Sequence, residues 1–172
     1  QFDTNFFSAL RLCRATLPIM RAQGSGILVM VGSLGGVVAV PYQALYSATK
    51  FALEGFVEAL RMEVKPFGIR VVLIEPGNFR TRFTANRQCT VASSTNPAYR
   101  DRFEVAIDKI ERAEMAGPDP ALVAALIDRV VQDPRPKLRY PVGRLDERIA
   151  ARLKPVLPHR VFEALAMWYF GV

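Results

Sequence analysis

The sequence predicts an α/β fold, part of a doubly wound parallel sheet, and three observations carry that prediction. Residues 27–31 form an unbroken apolar run of strand length, and residues 69–74 form a second one rich in β-branched side chains. Between them lies a long stretch with helical periodicity, so the order is strand, helix, strand, which closes as a right-handed crossover between parallel strands. Both strands run into glycine-bearing loops, Gly32-Ser33-Leu34-Gly35-Gly36 and Glu75-Pro76-Gly77-Asn78. The carboxyl ends of such strands are where open α/β sheets place their ligands.

The elements follow in order. Residues 5–22 carry Phe6, Ala9, Leu10, Cys13, Leu17 and Met20 at helical spacing, with Pro18 inside the stretch expected to kink or tighten it late. Residues 23–26, Gln-Gly-Ser-Gly, make a turn into the strand at 27–31. Its continuous apolarity predicts burial on both faces. Residues 32–36 read as a flexible loop. The helix over 43–65 presents Leu45, Ala48, Ala52, Phe56, Ala59 and Leu60 as its apolar face, and Pro66 and Gly68 stop it before the strand at 69–74.

Beyond Arg80 the pattern weakens, and residues 86–96 are the least patterned of all. A helix is expected over 99–115. Asp119 then caps another that runs to Gln132, with Pro120 at its first position. Residues 138–142 read as a short strand, and Pro141 within it places that strand at a sheet edge. Pro155 and Pro158 break the remainder into short helices.

Composition narrows the function classes. The chain of 172 residues is 51% hydrophobic, enough for one domain spanning 1–172 with a sizeable core and far from a disordered composition. No apolar run approaches the roughly 20 residues of a membrane span, and no leader-like segment opens the chain. Cys13 and Cys89 lie far apart without a metal-binding or redox spacing, which points to free thiols in the cytoplasm. The single histidine, His159, leaves little room for a histidine-based metal site. The net charge of +7 comes from arginines spread along the chain. No nucleic-acid-binding signature accompanies it, so a nucleic-acid partner is not expected.

Chemistry concentrates around one helix. Tyr46 and Lys50 stand four residues apart and so share one helix face. A phenol with a pKa near 10 is a poor base at neutral pH, but an ammonium held nearby favours the phenolate. Such a pair is common on helices and carries little by itself. Ser33, just past the first buried strand with twelve residues between it and Tyr46, adds a hydroxyl able to bond a substrate oxygen that the tyrosine protonates. The order is strand, Ser33, Tyr46-Ser47-Ala48-Thr49-Lys50, strand, then Pro76-Gly77-Asn78-Phe79-Arg80-Thr81. In this joint pattern the chain resembles the short-chain dehydrogenase/reductase family.

The resemblance implies a Rossmann fold and hydride transfer between NAD or NADP and a small-molecule alcohol or ketone. It implies that Tyr46 is the general acid/base, that Lys50 lowers its pKa and holds the nicotinamide ribose, and that Ser33 orients the substrate oxygen. Asn5 matches the family's helix asparagine, which holds a water linking Lys50 to solvent; the bland alternative is a helix N-cap. Pro76, Gly77, Phe79 and Thr81 match the segment that holds the nicotinamide carboxamide. The family's TGxxxGxG turn has no counterpart, and 32–36 cannot replace it because no helix opens there toward a pyrophosphate. By that comparison roughly the first 90 residues of the family pattern, its first mononucleotide-binding half, are unmatched. The tail, from Arg135 to Gly143 and again at Leu157-Pro158, is similar to hydroxysteroid and retinol dehydrogenases. It implies a bulky apolar substrate, with 84–116 as its lid. The resemblance also implies a homodimer or homotetramer built on the helices at 5–22 and 43–65.

Two rivals remain in view. A serine hydrolase would need glycine two residues before Ser33, where Val31 stands. A non-catalytic dehydrogenase-like binding protein gives no reason for Ser33, Tyr46 and Lys50 to fall in register.

Overall fold

A computed structural model describes residues 1–172. Three parallel strands, β1 (Gly26–Val31), β2 (Ile69–Pro76) and β3 (Arg139–Val142), lie in the order β1-β2-β3. Gly26 pairs with Ile69 and Val31 with Ile74, while Leu73 pairs with Arg139 and Pro76 with Val142. All three strands therefore finish at one end of the sheet. Pro141 sits on the outer strand, where its missing N–H costs no ladder bond.

Helices cover both faces because β2 alternates. Val71 and Leu73 join a core with Cys13 of α1 (Ser8–Gln23) and with Leu53, Val57, Leu60 and Val64 of α2 (Ala44–Val64). Val72 and Ile74 point the other way and meet Val130 of α5 (Ala121–Gln132). This two-sided arrangement is the predicted doubly wound α/β architecture. The chain continues through α3 (Val91–Thr95) and α4 (Arg100–Met115) between β2 and α5, and ends in α6 (Leu145–Leu153) and α7 (His159–Phe170).

Several sequence expectations need correction. The first helix runs without a break through Pro18; its irregularity is instead a π-helical turn at Asp3–Phe7. Only part of the stripe predicted to face the core on α2 does so: Leu60 is buried and Phe56 packs against the core. Leu53, Val57, Leu60 and Val64 are buried, whereas Leu45 is 69% exposed and Ala48 and Ala59 are exposed. The helix carries two apolar stripes, and sequence periodicity alone does not say which one the sheet takes. β1 is not buried on both faces: Leu28 is its one buried residue, and Val31 is half-exposed at the strand end. Residues 34–36 are not a flexible loop but a buried 3₁₀ turn. β2 extends past residue 74, so Glu75 and Pro76 belong to the strand. The unpatterned stretch 86–96 contains the short helix α3.

Two other local signals agree with the structure, the turn after α1 and the cap of α5. Gly24 ends α1 in the left-handed conformation, at φ 67°. The Asp119 carboxylate accepts a hydrogen bond from the Ala121 N–H at the start of α5. Cys13 and Cys89 are free. No helix is long and apolar enough to cross a membrane.

Candidate active site

The parallel register brings the ends of β1 and β2 together, and with them the two loops flagged in the sequence. The Gly32 N–H donates to Ile74 O at 2.8 Å and the Gly77 N–H to Val142 O at 2.8 Å, so each loop leaves its strand in a fixed direction. Ser33 follows at the N-cap of the 3₁₀ turn, where its Oγ accepts from the Gly35 N–H at 2.9 Å. The same hydroxyl donates to Pro76 O at 3.3 Å, tying the two loops to each other.

The start of α2 lies against this turn. A Cβ at Gly36 would come within 2.9 Å of Lys50 O, and one at Gly35 within 3.1 Å of the Tyr46 ring. The glycines are what allow the helix so close. Lys50 Nζ donates to Val31 O at 3.1 Å and lies 5.8 Å from the Tyr46 ring centroid. Asn5 is not a helix cap: its Nδ2 donates to Thr49 Oγ1 at 3.1 Å, and Thr49 Oγ1 donates to Tyr46 O at 2.7 Å. Thr49 is fully buried and joins Asn5 to the backbone of the tyrosine's turn.

Asn5, Ser33, Tyr46, Lys50, Pro76, Gly77, Phe79 and Thr81 all line one cavity of about 870 Å³. Its remaining wall is largely apolar, with Ile110 of α4, Val123 and Ile127 of α5, and Leu157, Phe162 and Leu165 from the C-terminal region. His159 is not among its lining residues, which removes the histidine a serine hydrolase would need there.

Electrostatics follow from enclosure. Burial pushes the Tyr46 phenol above its ordinary value, the Ser33 hydroxyl opposes this, and the Glu114 charge adds to the rise. Burial likewise pulls the Lys50 ammonium down. Burial therefore outweighs the lowering of Tyr46 by Lys50 that the sequence leads one to expect. Enclosure thus favours the protonated phenol.

Thr81, Phe83, Ile110, Ala113 and Glu114 line the same cavity as the tyrosine. Phe83 lies 5.8 Å from the Tyr46 ring, and the Arg87 guanidinium lies 5.8 Å from the Phe83 ring. Arg87 pairs with Glu114 at 2.5 Å and Glu111 at 3.2 Å, and Thr84 donates to Glu114 at 2.5 Å. Sequence reasoning missed Glu114, although a signal was present: it continues the buried stripe Phe103, Ala106, Ile110 of α4, where an acid is out of place. Glu147 was also missed. It accepts from Asn78 Nδ2 at 2.7 Å and from the Asn78 N–H at 3.2 Å, which fixes the loop after Gly77. Burial raises the Glu147 pKa, against the pull of those two bonds.

Comparison with known proteins identifies the class. Residues 1–91 match the short chain dehydrogenase family model, and the chain belongs to that family. It is 41% identical over 170 residues to a 3-ketodihydrosphingosine reductase of Bacteroides thetaiotaomicron, covering 98% of this chain and 63% of that protein. It is 36% identical over 146 residues to human retinol dehydrogenase 8, covering 80% of this chain and 46% of that one. Among solved structures, a short chain dehydrogenase/reductase from Burkholderia phymatum in complex with NAD superposes with a TM-score of 0.71 at 19% identity, over 90% of this chain and 56% of its own. The chain thus spans about half to two thirds of the length of these proteins.

Proposed function

We propose that this chain supplies the catalytic centre of an oxidoreductase that transfers hydride between NAD or NADP and a bulky, largely apolar alcohol or ketone. The observation that carries the reading is the convergence of Ser33, Tyr46 and Lys50 on the wall of one largely apolar cavity that Pro76 and Gly77 also line. The nicotinamide riboside end of a dinucleotide cofactor fits what the residues leave free. The Phe79 N–H, in a residue only 8% exposed, donates to no group of the chain, and a carboxamide oxygen would satisfy it. Lys50 Nζ spends one of its three donors on Val31 O, leaving two for ribose hydroxyls. Gly77 and Thr81 complete that wall. When bound, the reduced nicotinamide supplies the hydride.

The chain's own groups handle the oxygen and its proton. Ser33 Oγ turns its hydrogen toward the substrate carbonyl, and Tyr46 gives its phenolic proton to the same oxygen as the alcohol forms. Lys50 stabilises the resulting phenolate, and the Asn5–Thr49–Tyr46 chain of hydrogen bonds holds the turn on which Tyr46 sits. Residues 84–116 close the cavity over the substrate and keep water from it. The apolar wall suits a long-chain or polycyclic substrate, in keeping with the names of the two relatives.

The second apolar stripe of α2 supports assembly as a homodimer or homotetramer. Ala52, Phe56 and Ala59 flank Gly55 on the helix, and Gly55 has open space around it and would admit a partner helix closely. Sedimentation of the complete protein at micromolar concentration is expected to give a dimer or tetramer; a monomer contradicts the assignment. The free thiols fit a cytoplasmic setting.

The function is tested by mixing the complete protein with NADH or NADPH and a panel of long-chain ketones, and following oxidation of the cofactor. Turnover with at least one ketone is expected. No turnover with any ketone, or in reverse with the alcohols, would leave the non-catalytic binding protein as the better reading.

A further inference from the structure

Behind the site, on the side of α2 that faces the sheet, lies a cluster of charges the proposed reaction does not use. Glu54 stands one turn beyond Lys50 on α2, and Glu75 is the last residue of β2 before Pro76. Both side chains are buried, at 11% and 4% exposure. They converge on one nitrogen: Arg139 Nε lies 2.8 Å from Glu54 Oε2 and 3.6 Å from Glu75 Oε1. The same guanidinium also pairs with the half-exposed Glu58 at 2.5 Å.

One cation thus faces three carboxyl groups, and the accounts of hydrogen bonds and charge both fall short. Glu54 Oε1 and Glu75 Oε1 are buried without a hydrogen-bond partner. Two ionised carboxylates left so would repel each other and lack donors, a costly state for buried groups. Other charged groups line the adjoining cavity, namely Arg129 of α5, Lys137 before β3, and Arg148, Arg152 and Lys154 in and just after α6. None of them makes an ion pair with Glu54 or Glu75.

We propose that Glu75 and Glu54 share one proton, and that this carboxyl–carboxylate hydrogen bond is a positioning element that fastens the Tyr46–Lys50 helix to the strand end carrying Pro76 and Gly77. A single proton removes one negative charge and supplies the missing donor. The direction of the Glu75 pKa agrees: burial, then the charge of Glu54 and a hydrogen bond with it, push it up to about 8, against the opposing pull of Arg139. The ends of α2 and β2 are thereby tied independently of the loop contact through Ser33.

The sign of the pH dependence follows from a carboxyl whose pKa is raised on folding. Below its unfolded value near 4.5 both states hold the proton, and Glu75 does not favour either. As pH rises from there to about 8 the unfolded state loses its proton while the native state must keep it, so stability falls across that window and then levels off. Glu75→Gln keeps a donor toward Glu54 but does not titrate.

The test compares melting temperatures of the complete wild-type protein and Glu75→Gln from pH 5 to 9.5. The variant is expected to match wild type near pH 5 and to exceed it by a margin that grows up to pH 8 and is constant above. A margin that does not change with pH, or a variant that loses most against wild type at high pH, overturns the shared proton. Infrared difference spectra of the wild type between pH 6 and 9 need no variant, and the carboxylic-acid C=O band must disappear over that interval if the pair exists. The positioning role, which rests on the proposed cofactor function, has its own readout: the KM for reduced cofactor should rise several-fold through the same pH range in wild type and stay flat in Glu75→Gln, with kcat for the ketone changing less. A cofactor KM indifferent to this titration contradicts that role. If no cofactor binds at all, the proposed function fails while the melting and infrared results still decide the shared proton.

Discussion

Tyr46→Phe is expected to lower kcat for ketone reduction by about two orders of magnitude or more, the usual cost of removing a general acid. The ring, its packing against Phe83 and the Thr49–Tyr46 backbone bond all remain. The fold should therefore survive, and the melting temperature should stay close to that of wild type. Nothing nearby takes over the proton: the Ser33 hydroxyl, which bonds the same oxygen, is a far weaker acid than a phenol, and the Glu114 carboxylate is held by Arg87 and Thr84. Parallel measurement of kcat and melting temperature separates lost chemistry from lost structure. A variant turning over at near wild-type rate would remove Tyr46 from the mechanism.

Lys50→Ala should be almost as damaging, by a different division of effects. The side chain bridges the end of β1, through Val31 O, and the face of the Tyr46 ring. Its loss removes the cation that stabilises the phenolate formed when Tyr46 gives up its proton, which lowers kcat. It also removes the donors assigned to the ribose, which raises the KM for cofactor. Losses of about 10²-fold or more in kcat/KM are expected, shared between the two constants. Steady-state kinetics with varied cofactor measure the division. A variant with unchanged cofactor KM would show that Lys50 acts on the tyrosine alone.

The parallel strands and the site were legible in the sequence for reasons that differ. The strands at 27–31 and 69–74 declare themselves because they are short, apolar and separated by a helix, which leaves few topologies open. The site residues declare themselves through fixed spacing. Ser33, Tyr46 and Lys50 meet only because the strand end, the tight Gly35-Gly36 turn and the first turns of α2 hold them in register, and the sequence records that register directly. Asn5 shows the limit of such reading: its position was plain, but its partner, Thr49, depends on how the first helix crosses the second.

Burial was the least legible property. On α2, Leu45, Ala48 and Ala59 have the right period and still lie outside the core, because a helix with two apolar stripes can face the sheet with either. The buried acids escaped notice for a related reason. Glu54 and Glu75 are ordinary residues by composition, and only packing shows that each occupies a buried position, whereas Glu114 sits on an apolar stripe of α4 that could have flagged it. The irregular stretch at 86–96 hid α3 because its residues, Val91–Thr95, have no apolar face to betray a single turn of helix.

The central claim is that the carbon of a carbonyl held by Ser33 and Tyr46 receives a hydride from nicotinamide. It is tested most directly by isotope transfer: the complete protein is incubated with NADH or NADPH deuterated at the transferable nicotinamide position and with a long-chain ketone, and the alcohol is analysed by mass spectrometry. The wild-type product should carry one deuterium on the carbinol carbon, and Tyr46→Phe should form little product of any kind. An alcohol formed without deuterium, or one formed equally well by Tyr46→Phe, would contradict the account.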